Sequence, residues 1–165
     1  ATNSFRVLGS KWGSFVMLVD VIKGVAATSL YLFLPHYLTN ELHRTNFMLG
    51  LGMASIIGHI FPIWANFKGG KGVATSLGVI VGLQPAAAAI CLVVFLIVFI
   101  TSHYVSLGSI SAAVVFSGCL WLFPINTYAL PIFGTLLAFI VIFAHRKNIK
   151  RLLDGTESKM NLFKK

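Results

Sequence analysis

The sequence VATSLGVIVGLQPAAAAICLVVFLIVFIT, residues 73–101, decides how this chain is organised. It is apolar almost throughout, and its one proline, Pro85, follows Gln84. A helix needs about 20 apolar residues to cross the hydrocarbon core of a bilayer, so the stretch is either one long tilted helix or two short spans. Proline removes a helix hydrogen bond and disfavours helix in the residue before it, which places the break of the second alternative at Gln84-Pro85.

The rest of the chain also has the composition of a membrane protein. Four further stretches have the length and apolarity of membrane spans: Ser14–Leu34, Asn46–Ala65, Val105–Phe123 and Thr127–Ala144. Of all residues, 57% are hydrophobic and only 10% are charged, whereas soluble domains carry about 25% charged residues. The sequence predicts an all-α, polytopic transmembrane helix bundle that forms a single domain over residues 1–165.

The basic residues favour a break at Pro85. With that break the chain has six spans, and nearly all lysines and arginines fall on one side. They are Arg6, Lys11, Lys68, Lys71 and the seven Lys and Arg residues after Ala144. One long helix would divide them between both sides. The positive-inside rule therefore favours six spans with short discontinuous helices near Pro85, and it makes the shared side the cytoplasm.

The net charge of +9 is explained by the same rule. We therefore do not take the charge as a sign of nucleic-acid binding. Residues 146–165 are predicted to form a basic cytoplasmic tail. The chain opens on Ala1 and a polar stretch, and we expect further residues to precede it.

The glycine-rich sequence Lys68-Gly69-Gly70-Lys71-Gly72 is the strongest candidate for a binding loop. Glycines let successive N–H groups converge on an anion, and the next helix offers its positive N-terminal end. The loop is not a Walker A motif, because Lys71 is followed by glycine rather than Ser or Thr. The alternative is a flexible connector whose lysines obey the positive-inside rule.

The sequence after the last span offers a second group of polar residues. On a continued helix, His145, Asn148, Ile149 and Leu152 share one face, and Arg151 lies close enough to join them. An amide beside cations suits recognition of a phosphate or a hydroxyl. The alternative is a basic anchor at the membrane surface.

Polar residues inside the spans allow two interpretations each. Asp20 and Lys23 are three residues apart in the first span and form either a structural ion pair or a direct contact to substrate. His59 is interpreted as a structural residue, with catalysis as the alternative. Ser106 either caps the helix that it begins or contacts a ligand.

The remaining histidines and the cysteines are given no role. His36 and His43 fall on the opposite side of the predicted membrane, where we expect no function. Cys91 and Cys119 lie in apolar runs and are interpreted as packing residues. Their spacing does not suggest a metal site.

Three segments carry a recognisable pattern. They are Ala1-Thr2-Asn3 with Arg6, Leu8-Gly9 and Asp20-x-x-Lys23-Gly24; Gly58-His59 with Pro62 and Phe67-Lys68-Gly69-Gly70-Lys71-Gly72-Val73-Ala74-Thr75; and His145-Arg146-x-Asn148-Ile149-x-Arg151-Leu152-x-x-Gly155-x-Glu157. With Tyr104-Val105-Ser106-Leu107, they resemble the bacterial membrane acyltransferases that move a fatty acyl group from acyl phosphate to glycerol 3-phosphate. The family's Gly-Ser-x-Asn stretch, with its serine, is absent. The resemblance thus implies seven spans in a complete member and an N-terminally incomplete chain here.

The resemblance also implies roles for individual residues. Arg6 would bind substrate phosphate, the glycine loop would bind glycerol 3-phosphate, and the third segment with Ser106 would line the same pocket. The implied catalytic residues are Arg6, Lys71, Ser106, His145 and Asn148. The implied substrate-binding residues are Asn3, Gly69, Gly70, Lys71, Gly72 and Arg151. Glu157 would be structural rather than chemical, and the roles of Asp20, Lys23 and His59 stay open.

The function implied by the resemblance is the first step of phospholipid synthesis. Acyl phosphate and glycerol 3-phosphate would give 1-acylglycerol 3-phosphate, or lysophosphatidic acid, and phosphate, with no metal, cofactor or coenzyme A. The enzyme would be a multi-pass protein of the bacterial inner membrane whose active site and C-terminus face the cytoplasm. The alternative is a membrane transporter of a small organophosphate, in which broken helices meet an anion. A non-enzymatic membrane scaffold would leave the glycine loop unexplained.

Overall fold

The computed structural model describes residues 2–34, 40–122 and 127–160. In these ranges it has seven α-helices: α1 (Thr2–Ser29), α2 (Glu41–Ile60), α3 (Val73–Leu83), α4 (Pro85–Ser102), α5 (Val105–Leu122), α6 (Ala129–Ala144) and α7 (Arg146–Leu153). Short 3₁₀ turns at Leu30–Phe33 and Ile63–Ala65 follow α1 and α2. Expectations that concern Ala1, His36, Phe123 and residues 161–165 lie outside the described residues.

The break at Pro85 is confirmed. Helix α3 ends at Leu83, Gln84 takes the non-helical angles φ −147°, ψ 80°, and α4 begins at Pro85. The Gln84 N–H still donates to the Ile80 carbonyl at 2.7 Å, which closes the last turn of α3. Proline suits the first position of a helix because the N–H that it lacks has no intrahelical partner there.

The all-helical membrane bundle is confirmed, but length and apolarity give fewer spans than six. Within the described residues, four helical stretches are long and apolar enough to cross a bilayer: Asn3–Phe33, Glu41–Ala65, Pro85–Ser102 and Val105–Leu122. A fifth counts only when α6 and α7 are taken together as one bent span. Helix α3, with 11 residues, is shorter than the about 20 residues that the hydrocarbon core requires.

Contacts divide the chain into two compact units, Ala1–Ala88 and Ala89–Lys165, with the boundary inside α4. The first unit holds α1, α2 and α3, and the second holds α5, α6 and α7. Large apolar side chains are exposed along the helices, among them Ile97, Ile100 and Phe139. Such surfaces suit contact with lipid rather than with water.

Helix α1 is sharply kinked at Gly9. This residue has the non-helical angles φ 79°, ψ 176°, which glycine adopts readily because it has no Cβ. Across the kink, a Cβ added to Gly13 would lie 2.7 Å from the Cα of Phe5. Eight residues of straight helix would separate these positions by about 12 Å. The segment before Gly9, which carries Asn3 and Arg6, therefore folds back towards the start of the membrane helix.

Helices α1 and α3 approach each other backbone to backbone through glycines. A Cβ on Gly24 would overlap the Thr75 carbonyl oxygen and lie 2.7 Å from the Val79 nitrogen. A Cβ on Gly78 would overlap the Val21 carbonyl oxygen. Small residues at helix contacts permit such close packing in membranes, where van der Waals contact replaces the hydrophobic effect as the force that joins helices.

Gly24→Ala is expected to lower the free energy of unfolding by about 1–3 kcal/mol, because the methyl group must push the backbones of α1 and α3 apart. Gly50→Ala on α2 is the matched control, since nothing lies within 4 Å of an added Cβ there. Alanine is the better helix former, so this control is expected to keep or slightly raise stability. Thermal unfolding in detergent compares the two variants. Equal losses of stability in Gly24→Ala and Gly50→Ala would contradict the close contact at Gly24.

In the second unit, α5 and α6 pack through a buried apolar face and a group of hydroxyls. Phe116 and Leu137 are almost completely buried. Thr135 accepts a hydrogen bond from the Trp121 indole at 2.9 Å and lies 3.2 Å from the Ser117 hydroxyl. Hydrogen bonds between helices satisfy polar groups that lipid cannot, so these contacts fix α5 against α6.

Candidate functional site

The carboxylate of Glu157 joins three of the residues singled out from the sequence. Its Oε1 accepts hydrogen bonds from the Ser106 hydroxyl at 2.8 Å and from the Asn148 amide at 2.7 Å. Its Oε2 accepts from Nε of Arg151 at 2.7 Å. Residues from the start of α5, from α7 and from the tail are thereby held together within the second unit.

A glycine turn brings Glu157 to this position. Helix α7 ends at Leu153, and Gly155 follows in the left-handed conformation at φ 69°. The N–H groups of Thr156 and Glu157 then donate to the Arg151 carbonyl at 2.8 and 3.1 Å. A left-handed glycine after a helix commonly ends it in this way and satisfies carbonyls of its last turn. The tail therefore turns back along α7 instead of leaving it.

The Glu157 side chain is buried, being 4% exposed, whereas that of Arg151 is 44% exposed. Burial by itself would raise the pKa of Glu157. Hydrogen bonds from Asn148, Arg151 and Ser106, with the charge of Arg151, outweigh burial and hold the pKa below its usual range. Since the contact uses only Nε, the guanidinium keeps four other N–H groups for a further partner.

This low pKa gives the stability of the fold a pH dependence of definite sign. A carboxyl whose pKa is lower in the folded chain stabilises the fold above its unfolded value of about 4.3. That contribution is lost as the pH falls through the folded value. We expect the stability difference between wild type and Glu157→Gln to shrink below about pH 4, measured by thermal unfolding across a pH series. A difference that grows on acidification would contradict this cluster.

His145 lies at a bend, and the expectation of one continued helix is corrected here. Helices α6 and α7 meet at 61°. The His145 backbone, with φ −96° and ψ 6°, leaves the helical path, and its Nδ1 lies 2.8 Å from the Val141 carbonyl oxygen. In a neutral ring, Nδ1 must carry the proton to donate to this carbonyl, which leaves Nε2 as an acceptor. His145 and Asn148 are both buried.

Ser106 does not cap α5, because it lies inside the helix, one residue after its start, and its hydroxyl donates to Glu157. The tail makes two further contacts to the turn before α5. The Met160 N–H donates to the His103 carbonyl at 2.9 Å. The Lys159 ammonium lies 5.7 Å from the centre of the Tyr104 ring, within the range of a cation–π contact.

In the first unit, the glycine loop is closed against the end of α2. The Gly69 N–H donates to the Ile60 carbonyl and the Gly70 N–H to the His59 carbonyl, each at 3.1 Å. These bonds satisfy two of the carbonyls that every helix leaves without a partner at its C-terminus. The expected convergence of successive glycine N–H groups on an anion is therefore corrected for Gly69 and Gly70, whose N–H groups are engaged.

The anion-binding potential of the loop lies in its second half. Gly72 has the left-handed angle φ 78° and precedes α3. The first-turn N–H groups of a helix have no intrahelical acceptors and carry the positive end of its dipole. Lys71, which directly precedes Gly72, is half-buried, whereas Lys68 is exposed. A charge and a helix N-terminus thus lie next to each other in the sequence.

Asp20 is buried and has two cationic or potentially cationic neighbours. Its Oδ1 lies 3.6 Å from Nζ of Lys23 and 3.4 Å from Nδ1 of His59. Of the two alternatives for Asp20 and Lys23, the structure shows the contact of an ion pair, and His59 of α2 lies against the same carboxylate. Nothing in the spacing of the sequence indicated this third member.

The predicted site residues come from both units of the chain. Residues 1–88 hold Asp20, Lys23 and His59 next to the glycine loop, with Asn3 and Arg6 exposed on the segment before Gly9. Residues 89–165 hold Ser106, Asn148, Arg151 and Glu157 together, with His145 at the start of α7. Among the described residues, no group of three or more His, Cys, Asp or Glu side chains could hold a metal ion.

Known proteins resemble the chain over almost its whole length. The family model for glycerol-3-phosphate acyltransferase matches residues 1–155. Glycerol-3-phosphate acyltransferase of Chlorobium phaeovibrioides is 37% identical, with 99% of this chain and 81% of that protein covered. The protein of the same name from Chlorobaculum tepidum is 36% identical, with 99% and 82% covered.

Two crystal structures of PlsY, an integral membrane glycerol 3-phosphate acyltransferase, share the fold. Its glycerol 3-phosphate form has a TM-score of 0.85 and 34% identity, covering 99% of this chain and 80% of that one. Its lysophosphatidic acid form has a TM-score of 0.84 and 34% identity, covering 97% and 78%. Because the family model matches residues 1–155 of this chain, the chain belongs to the glycerol-3-phosphate acyltransferase family.

Proposed function

We propose that this protein transfers a fatty acyl group from acyl phosphate to the 1-hydroxyl of sn-glycerol 3-phosphate, giving lysophosphatidic acid and phosphate. The observation that carries the proposal is the likeness, over nearly the whole chain, to PlsY in its glycerol 3-phosphate and lysophosphatidic acid forms. The acceptor and the product of the proposed reaction are those two molecules. The donor, acyl phosphate, is proposed because a mixed anhydride already carries a good leaving group.

The reaction balances without a covalent enzyme intermediate. The hydroxyl oxygen attacks the acyl carbonyl carbon, an ester bond forms, and the bond between that carbon and the bridging oxygen of the anhydride breaks. The leaving phosphate accepts the hydroxyl proton. A complex with a ring nitrogen of His145 or His59 within about 3 Å of the attacking hydroxyl would contradict this route for the proton.

The main task of the protein is then to bring two anions together. Cations and N–H donors offset their repulsion and the charge that develops in the transition state. Alignment of the two substrates lowers the barrier further. In the first unit we assign this work to Lys71, to Gly72 with the start of α3, and to Arg6 and Asn3.

In the second unit the same reasoning applies to the cluster around Glu157. Arg151 supplies a charge and the N–H groups that do not contact Glu157. Ser106, Asn148 and His145 supply polar atoms whose positions are fixed by hydrogen bonds to Glu157 or to the backbone. We assign Glu157 to holding these groups rather than to contact with substrate.

The chain is a multi-pass membrane protein, and we propose that it lies in the bacterial inner membrane. The distribution of lysine and arginine supports an orientation in which the glycine loop and the C-terminal tail face the cytoplasm. There the enzyme would carry out the first step of phospholipid synthesis, with water-soluble glycerol 3-phosphate arriving from the cytoplasm and the acyl chain held among the helices.

The test compares donors and separates catalysis from transport. Purified protein in sealed vesicles is given labelled glycerol 3-phosphate with acyl phosphate, with acyl coenzyme A, or with no donor. We expect labelled lysophosphatidic acid only with acyl phosphate. Product from acyl coenzyme A alone would overturn the proposed donor. Uptake of the label without any donor would instead identify an organophosphate transporter.

A further inference from the structure

The imidazole of His59 lies between a buried carboxylate and the glycine loop. On one edge, Nδ1 is 3.4 Å from Oδ1 of Asp20, whose side chain is 6% exposed. On the other edge, Nε2 faces Gly70 so closely that a Cβ added to Gly70 would overlap it and lie 3.0 Å from both neighbouring ring carbons. The ring therefore fills the space that any side chain at position 70 would need.

The backbone of His59 contacts the same glycine. Its carbonyl accepts the Gly70 N–H at 3.1 Å. Gly70 is thus fixed from two directions by one residue, through the ring and through the carbonyl. Since the next residue is Lys71, the position of Gly70 also sets where the Lys71 backbone begins.

Asp20 in turn fixes the ring. A carboxylate inside a membrane span is costly and needs partners, and Asp20 has Lys23 at 3.6 Å besides His59. Asp20 comes from α1 and His59 from α2, so their contact ties the loop to two helices of the first unit.

We propose that His59, held by Asp20, is a positioning residue that fixes Gly70 and so places Lys71 for glycerol 3-phosphate. The inference rests on the proposed function for the role of Lys71. The contact between the ring and Gly70 stands independently of that role, and the experiment measures it separately.

The kinetic test uses His59→Ala. Loss of the ring is expected to raise the KM for glycerol 3-phosphate by about 10- to 100-fold, because small misplacements of a binding group cost that much. The KM for acyl phosphate is expected to change far less. A merely structural role would not separate the two substrates, so an equal change in both constants, or no change in a folded variant, would overturn the proposal.

Conservative variants separate the two edges of the ring. In His59→Asn, the amide nitrogen takes the place of Nδ1, next to Asp20. In His59→Gln, the amide nitrogen takes the place of Nε2, next to Gly70. We expect His59→Gln to recover more of the affinity for glycerol 3-phosphate than His59→Asn, since it fills the space beside the glycine. If His59→Asn recovered more of the affinity than His59→Gln, His59 would not act through Gly70.

A double-mutant cycle measures the contact itself. Gly70→Ala is expected to be harmful in the wild type, where the methyl meets the ring, and to add little in the His59→Ala background, where the ring is gone. Gly69→Ala is the matched control, since its methyl would overlap the carbonyl oxygen of His59 and lie 2.7 Å from that of Ile60. Those are backbone atoms, so its effect should be the same in both backgrounds.

The effects of the single and double variants are measured as unfolding midpoints in detergent and as activities. Coupling of His59 with Gly70 but not with Gly69 supports the inference, and additive effects at both glycines overturn it. If wild type makes no lysophosphatidic acid, the proposed function fails while the unfolding midpoints still report the contact. If wild type is active and the coupling is absent, the inference alone fails.

Discussion

Lys71→Ala is expected to lower kcat/KM for glycerol 3-phosphate by about 100- to 1,000-fold, the range found when one charged or N–H donor is removed from a preorganised site. Lys71 is half-buried and lies between Gly70, which is fixed by His59, and the N-terminus of α3. At that depth a positive charge is screened less than on the surface, so its attraction for a phosphate dianion is stronger.

Lys68→Ala is the matched control for this prediction. Lys68 belongs to the same loop and carries the same charge, but it is exposed and precedes the hydrogen bonds that close the loop. Its removal is expected to change kcat/KM by a few-fold at most, because an exposed charge is screened by water and salt. Initial rates at varied glycerol 3-phosphate and saturating acyl phosphate give both values. Similar losses in the two variants would show that net charge, and not the position of Lys71, supports binding.

Glu157→Ala is expected to have the largest effect on stability. It removes an acceptor from two buried groups, the Ser106 hydroxyl and the Asn148 amide, and the loss of such a buried hydrogen bond costs about 1–3 kcal/mol each. Arg151 contributes less to the loss, since it is partly exposed and water can replace its contact. We expect the unfolding midpoint in detergent to fall strongly and the activity to fall with it.

Two controls define the cause of that loss. Glu157→Gln keeps a carbonyl oxygen for Ser106 and Asn148. It replaces the acceptor of Arg151 by an NH₂ group, but Arg151 is partly exposed and water can take over that contact, so the variant should retain most of the stability. Asp154→Ala removes an exposed carboxylate three residues earlier and should change stability by less than about 0.5 kcal/mol. A Glu157→Ala variant as stable as Asp154→Ala would contradict the hydrogen-bonded cluster.

The sequence predicted the helical framework well because it depends on local properties. Pro85 ends one helix and begins the next, and the start of α5 and the end of α6 follow from where apolar runs meet polar residues. The number of spans was less predictable. Charge patterns treat Val73–Leu83 as a full span, whereas its length of 11 residues does not reach across a bilayer.

The candidate site was predicted as a set of residues rather than as contacts. His59 contacts Asp20, and Ser106 contacts Glu157, from helices distant in sequence, and no periodicity encodes these two contacts. The bend at His145 depends on where a side chain meets a carbonyl one turn earlier. The closed glycine loop depends on which N–H groups find the carbonyls of α2. Gly9 and Gly155 are signals in the sequence that could have indicated two of the turns, because glycine readily adopts the positive φ angles found at both.

Acyl transfer from acyl phosphate to glycerol 3-phosphate can be followed through the fate of the bridging oxygen of the anhydride. Purified protein in lipid vesicles is given glycerol 3-phosphate and acyl phosphate labelled with ¹⁸O between the carbonyl carbon and phosphorus. The products are then analysed by mass spectrometry. We expect unlabelled lysophosphatidic acid and one labelled phosphate for each molecule of lipid formed. Labelled lipid, or no lysophosphatidic acid at all, would contradict this reaction.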